Sequence, residues 1–279
     1  TWPMRGLIKK MTTTLNEPVD YYLPLGETEV HLNPYIGKSF QLVYHSKIEC
    51  QHCGRTTKKS FSQGYCYPCF KKLAQCDLCI MSPERCHFDQ GTCREPEWAE
   101  GFCMQPHIVY LANSSGVKVG ITRPSQIPTR WIDQGAVQGL PIFSVTTRQL
   151  SGLVEVIIKK HISDKTQWQR MLKSANEPVD LKVLQDEIME KIKDDLTELQ
   201  NKYGIQAIQP ITHLETQEIK YPVEEYPTKV VSKNFDKMPI IEGKLMGIKG
   251  QYLIFDTGVI NIRKFTGYDV EFRALADIN

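Results

Sequence analysis

All nine cysteines of this 279-residue chain fall between Cys50 and Cys103. Cys50-x2-Cys53, twelve intervening residues, then Cys66-x2-Cys69 is the spacing of a zinc ribbon. Two residues between thiolates let one tight turn present both sulfurs to a tetrahedral ion. Gly54 follows the first pair and Gly64 precedes the second, which suits such turns. A second run follows at once: Cys76, Cys79, Cys86, Cys93 and Cys103, with His87 beside Cys86. Cys76 and Cys79 are expected to open a second site, completed either by Cys86 with Cys93 or by Cys93 with Cys103. His87 or His107 could substitute, and an iron–sulfur cluster would take the same thiolates. All-thiolate sites leave no position open for water, so their expected role is structural: to fold a stretch of some 55 residues with little apolar core.

Aromatic and basic residues interleave in the same zone. Lys58, Lys59, Lys71 and Lys72 could neutralise phosphates, while Phe61, Tyr65, Tyr67 and Phe70 could stack on bases or pack around the metal. Net charge is +2, but residues 50–175 carry 16 basic and 9 acidic side chains and residues 176–279 carry 13 and 18. A net +7 middle beside a net −5 C-terminal third suggests a localised polyanion-binding surface and an acidic face open to a protein partner. With 41% apolar and 24% charged residues, wholesale disorder is excluded. No apolar run reaches transmembrane length, so no membrane partner is expected. Thr1-Trp2-Pro3-Met4-Arg5 carries neither the apolar run nor the cleavage site of a signal peptide, so the chain is expected to be cytoplasmic and trimmed at its start.

The elements between His107 and His161 are legible. Ile108–Ala112 and Val117–Thr122 flank the turn Asn113-Ser114-Ser115-Gly116 and predict a hairpin. Gly120 inside the second strand marks a close approach by another group. A short helix around Arg130–Gln134 follows Pro128, then a strand at 143–147. Leu150, Leu153, Val154, Ile157 and Ile158 next mark one helix face, with Glu155 on its border. Residues 180–203 read as the longest helix, ended by Gly204. Residues 18–48 and 240–272 read as strands that could pair across the chain.

This order resembles the GIY-YIG endonuclease superfamily: Val-Tyr-Leu, then Lys-Val-Gly-Ile-Thr, an arginine on the first helix and a glutamate on the next. The resemblance spans about 107–161. The whole chain also resembles an uncharacterised bacterial family with zinc-type cysteines ahead of such a segment. The superfamily resemblance implies a divalent-metal-dependent phosphodiesterase site. Tyr110 takes the place of the tyrosine that helps activate water, Arg130 of the arginine that stabilises phosphate charge, and Glu155 of the glutamate that holds Mg²⁺ or Mn²⁺. The sequence departs at the second tyrosine, where Lys118 stands. A lysine there can bind phosphate or act as a base, and it can equally mark the loss of cleavage. Arg123 and Arg148 are further candidate phosphate contacts.

The expected fold is α+β: a small mixed α/β GIY-YIG-like unit with a zinc-ribbon region and flanking β structure. The expected divisions are an N-terminal β segment 1–49, a cysteine-rich region 50–105, the α/β unit 106–176, a connecting helix 177–205 and a C-terminal β region 206–279. The expected function is a zinc-containing nucleic-acid-binding protein, acting on DNA or RNA as a nuclease or as a non-cleaving binding or RNA-processing module.

Overall fold

The computed structural model describes residues 4–276, so Thr1, Trp2 and Pro3 lie outside it. The fold is α+β. One antiparallel sheet runs Met4–Leu7, Tyr268–Ala274, Ser39–Glu49, Ile240–Lys249, Tyr252–Phe255 and Gly258–Asn261 in spatial order. Strands from both ends of the chain thus share it. Phe40 packs on Phe255 and Phe272, with ring centroids 5.2 and 4.8 Å apart. The two-residue turn Asp256-Thr257 sets Phe255 opposite Gly258 and fixes the register of that hairpin. A smaller sheet of Thr12–Thr14, Asp20–Leu25 and Thr28–His31 adds Tyr21, Leu23 and Leu25 to the same core.

A second sheet runs Ile208–Pro210, Gln138–Val145, His107–Asn113 and Val117–Thr122. The predicted hairpin forms, with Tyr110 opposite Gly120 and Ala112 opposite Lys118. The predicted third strand starts earlier than its apolar run, at Gln138. Every residue of His107–Asn113 is buried. Alternation along a strand sends neighbours to opposite faces. Ile108, Tyr110 and Ala112 join Trp131 and Ile132 in the core of the first sheet. Val109 and Leu111 join Val154 and Ile158 of the Arg148–Lys159 helix, together with Leu181, Ile188 and Leu196. This one strand is shared by two cores.

The single helix expected over 180–203 bends in its middle, giving Leu181–Lys191 and Lys193–Tyr203. Ile192 stays buried while its backbone leaves helical geometry at φ −95° and ψ 2°. Asp194 and Asp195 then occupy the first turn of the second segment, where free N–H groups favour negative charge. Asp180 caps the first segment by accepting the Val183 N–H at 3.1 Å. Among the described residues, no helix is long and apolar enough to cross a membrane.

His107 opens the shared strand, fully buried. Its Nδ1 donates to the Gln105 carbonyl at 2.7 Å and its Nε2 has no partner among the described residues. Burial holds the imidazole down to a pKa of about 4. The unfolded histidine titrates near ~6.5, so the unfolded chain takes up this proton first. His107 therefore removes stability as pH falls from about 6.5 through 4, roughly 2 kcal/mol by pH 5. Thermal melts of wild type and His107→Gln at pH 7 and pH 5 test this. The wild type is expected to lose more on acidification than the variant; equal losses would sink the assignment.

Candidate metal centre and cationic cluster

The first cysteine pair sits where the Ser39–Glu49 strand ends. Cys50 donates its N–H to the Arg55 carbonyl at 2.9 Å, and Gly54, at φ +75°, closes the turn onto the Cys50 carbonyl at 3.0 Å. The second pair sits at the start of the Tyr67–Lys72 helix, with Cys66 extended just before it and Cys69 in its first turn. Gln51 donates its N–H to Gly64 at 2.7 Å, drawing the two turns together. A Cβ on Gly64 would lie 2.6 Å from the Gln51 side chain, so this close approach requires glycine.

The Sγ atoms of Cys50, Cys53, Cys66 and Cys69 all lie within 4.8 Å of one another, with Cys53 and Cys66 at 3.7 Å. This group can hold a metal ion such as zinc. Burial works against charge at Cys50 and at Cys69. At Cys50 the N–H groups of Cys53, Cys66 and His52 overcome it and bring the thiol down to about 6. At Cys69 burial and the neighbouring thiols push the pKa up to about 12. Four thiolates therefore cannot gather here at neutral pH without a cation, and metal uptake must release protons.

The second cysteine run departs from the expected pairing. Cys76 does not join Cys79; it packs on the first group, beside Cys50 and Ser62. The cause is local geometry. Cys76 closes a tight turn at Ala74–Cys76, Asp77 is extended, and Cys79 lies in the Leu78–Met81 helix. Cys79 instead shares a 4.8 Å group with Asp77 and His87. Both His87 nitrogens are engaged, Nδ1 with Thr92 at 2.7 Å and Nε2 with Asp77 at 3.0 Å. Arg94 lies 3.4 Å from the same Asp77 and donates to the Phe70 and Leu73 carbonyls, tying the two cysteine stretches together. Cys86 and Cys93 lie close enough to Cys79 and Cys103 to help burial raise both, Cys103 to about 11.

This second stretch docks on the helix that carries Glu155. Arg148 donates Nη2 to the Ile80 carbonyl at 2.7 Å and its backbone N–H to Cys103 at 2.8 Å. Gln149 reaches the Cys86 carbonyl at 3.3 Å. Gly152 lets the loop approach: a Cβ there would sit 2.5 Å from the Glu84 backbone nitrogen.

Tyr110, Lys118 and Gly120 share one face of the second sheet. The Tyr110 ring lies edge-on to Trp131 and its hydroxyl donates to Gln134 Oε1 at 3.1 Å. A Cβ on Gly120 would lie 2.5 Å from the phenol, which accounts for the glycine in this strand. Burial raises the Tyr110 pKa, opposed by the Arg130 guanidinium beside it. The Arg130 Nε is buried with no partner among the described residues, and so is the Arg148 Nε. Burial lowers the Lys118 pKa, with Asp164 and then Glu155 acting against it and Arg130 in the same direction. Glu155 comes from the helix packed on the opposite face, and its charge is felt at both Tyr110 and Lys118. Burial raises its pKa; Lys159, 3.4 Å away, partly offsets this.

The other candidate contacts are dispersed. Arg123 and Arg148 lie over the Phe102 ring, 4.5 and 5.7 Å from its centroid, and Arg148 is mostly buried rather than a free surface cation. Lys58, Lys59, Lys71 and Lys72 are exposed on the first cysteine group. Lys59 lies over Phe61 and Lys71 over Tyr67, at 5.1 and 5.9 Å, and Phe61 stacks on Phe70. These lysines are not among the charges that act most on Tyr110, Lys118 or Glu155.

The fold and site define an α+β protein with a four-cysteine group able to bind zinc and a buried cationic cluster on a second sheet. Residues 37–270 match the family described as Protein of unknown function (DUF2797), and the chain belongs to that family. No curated protein and no solved structure matches it.

Two outcomes follow. Cys66→Ser is expected to lower bound zinc by one ion per chain and to reduce the melting temperature. Each ~1 kcal/mol lost costs about 2–4 °C in a chain of this size. Unchanged zinc content by elemental analysis would remove the metal assignment. Gly152→Ala should favour an isolated helix by about 1 kcal/mol. Here the backbone it meets cannot yield, so a net loss of roughly 1–3 kcal/mol is expected, with faster proteolysis between residues 80 and 103. A stabilised variant would show that the loop does not dock there.

Proposed function

We propose that this protein binds nucleic acid through the sheet-and-helix unit around Tyr110, Lys118 and Arg130, as a divergent GIY-YIG-like module braced by zinc. The observation that carries this reading is the Arg130 guanidinium, whose buried Nε lacks an acceptor beside a largely buried lysine. A buried donor without a partner is costly, and a phosphate oxygen supplies the missing acceptor. Arg130 and Lys118 act on each other as like charges, with Asp164 and Glu155 as the carboxylates that act on Lys118, and a phosphate would add the acceptor that Arg130 lacks.

A second reading, phosphodiester cleavage, is favoured by Glu155. A single carboxylate with waters suits Mg²⁺ or Mn²⁺. The ion would polarise the phosphate and acidify a bound water. Tyr110 is poorly placed as the base, because its hydroxyl is buried and donates to Gln134. Lys118, with its pKa lowered by burial, is the better proton acceptor, and Arg130 would meet the charge that develops on phosphate.

The brace itself extends to a second ion. Cys79, Asp77 and His87, whose ligand atoms lie within 4.8 Å of one another, would be its first donors. Such an ion would fasten the loop to the Glu155 helix.

Anisotropy titrations of the zinc-loaded chain in chelator-free buffer without Mg²⁺ or Mn²⁺, followed by cleavage assays with either ion added, test these readings with wild type, Arg130→Ala and Glu155→Ala. Arg130→Ala is expected to weaken binding about tenfold, with a shallower salt dependence. Glu155→Ala should keep binding and lose any cleavage. Salt-insensitive binding, or binding indifferent to Arg130, would overturn the nucleic-acid reading. Binding by wild type without cleavage would retire the nuclease reading alone.

A further inference from the structure

Two adjoining cavities lie beyond Lys118, on the side of the C-terminal strands. The nearer, about 240 Å³, is lined by Lys118, Gln134 and Arg263. The farther, about 620 Å³, is lined by Lys233, Lys237 and Lys264. Both share Trp168, Tyr252 and Asn261 as a common wall. Trp168 stacks on Tyr252 with ring centroids 5.4 Å apart and planes 4° from parallel. Its residue is still 39% exposed, so an indole surface stays open at the junction.

The charge lining is one-sided. Among the described residues no carboxylate lines the larger cavity. The one carboxylate of the smaller, Asp133, is held by Lys10 at 2.5 Å and Gln251 at 2.8 Å. Asn261 Oδ1 is buried at the shared wall and has no donor among the described residues. The parts are fixed by the fold. Ser115 in the hairpin turn accepts the Gln167 N–H at 2.8 Å and sets the Trp168 helix. The segment around Lys233 runs along the Gly258–Asn261 strand, with Lys233 donating to Val259 at 2.7 Å and Val259 to Val231 at 2.8 Å.

We infer that this pair of cavities is a binding groove for a single-stranded nucleic-acid segment, continuous with the cluster at Lys118. The open face of Trp168 takes an unstacked base, Asn261 Oδ1 accepts from that base's amino or imino group, and Lys233, Lys237 and Lys264 meet the backbone phosphates. A duplex cannot use the groove in this way, because its bases are already stacked and paired. The inference deepens the nucleic-acid reading above by naming the class of strand, and it rests on residues distinct from Arg130 and Glu155.

The test uses the full zinc-loaded chain. Fluorescein-labelled oligo-U RNA and oligo-T DNA of about 15 nucleotides, and an RNA duplex of the same length, are titrated by anisotropy in chelator-free buffer without divalent ions. Single strands are expected to bind at least tenfold tighter than the duplex and to quench tryptophan fluorescence. Trp168→Ala should weaken single-strand binding about tenfold, as the loss of one base-stacking contact does. Lys237→Glu with Lys264→Glu should do the same at exposed positions that leave folding intact. RNA favoured over DNA would locate a contact to the 2′-hydroxyl, and equal binding would show recognition through base and phosphate alone; both fit the groove. Equal affinity for duplex and single strand, or groove variants that bind like wild type while Arg130→Ala binds weakly, would overturn the groove and spare the reading above. Single-strand binding lost in the groove variants but untouched by Arg130→Ala would support the groove and overturn the cluster at Lys118 as the primary site.

Discussion

A strand buried on both faces leaves no side chain free for solvent, and the His107–Asn113 strand is in that position. Its odd and even residues belong to different cores. Any shift of register by one residue would exchange the two sets and break both. The pairing with Val117–Thr122 on one side and Gln138–Val145 on the other therefore sets more than a sheet. It sets the distance between the C-terminal strands, which pack behind Tyr110, and the Glu155 helix, which packs behind Val109 and Leu111. Residues on elements far apart in sequence meet at Lys118 because this strand holds both cores in register.

The cysteine region adds a second constraint that a hydrophobic core does not supply. Its apolar cluster is little more than Leu73, Tyr65 and the cysteines themselves. The thiols at Cys50 and Cys69 are pushed in opposite directions, to about 6 and about 12, so the group is incomplete as a set of ligands until a cation balances it. With an ion bound, fold energy in this stretch would be metal-binding energy. Its consequences travel. The loop from Asp77 to Cys103 lies against the first turns of the Arg148–Lys159 helix through Gly152, Arg148 and Gln149. The metal region holds one end of the helix whose middle carries Glu155.

Local features were readable from the chain, and features made by distant contacts were not. The zinc spacing, the hairpin at 107–122 and the helix face at 150–158 are short-range patterns, and each is a property of turn geometry or of side-chain periodicity. A Cys-x2-Cys spacing permits a shared metal without requiring it: Cys76 packs on the first cysteine group, while Cys79 groups with Asp77 and His87. The bend at Ile192 was hidden by an apolar stripe that runs on through it. The wall formed by Trp168, Tyr252 and Asn261 joins a loop to a distant hairpin, and no spacing in the sequence announces it. The ring that Trp168 stacks on lies 84 positions away in the chain.

Charge makes the same point. Counted by segment, the middle of the chain is basic and the last third acidic. Counted in space, most of that basic charge is exposed, but Lys118, Arg123, Arg130 and Arg148 are half-buried. Arg148 is packed against Phe102 and the Ile80 carbonyl, and Lys118 is largely buried beside Arg130 and Glu155. The acidic third, meanwhile, contributes Lys233, Lys237 and Lys264 to one cavity wall from which its carboxylates are absent among the described residues. A field at a surface is set by where charges are held and how they are solvated, not by the segment that encodes them. A lysine whose amine is desolvated, next to an arginine nitrogen without an acceptor, is a stronger demand for an anion than a longer run of exposed lysines, because water already satisfies the exposed ones.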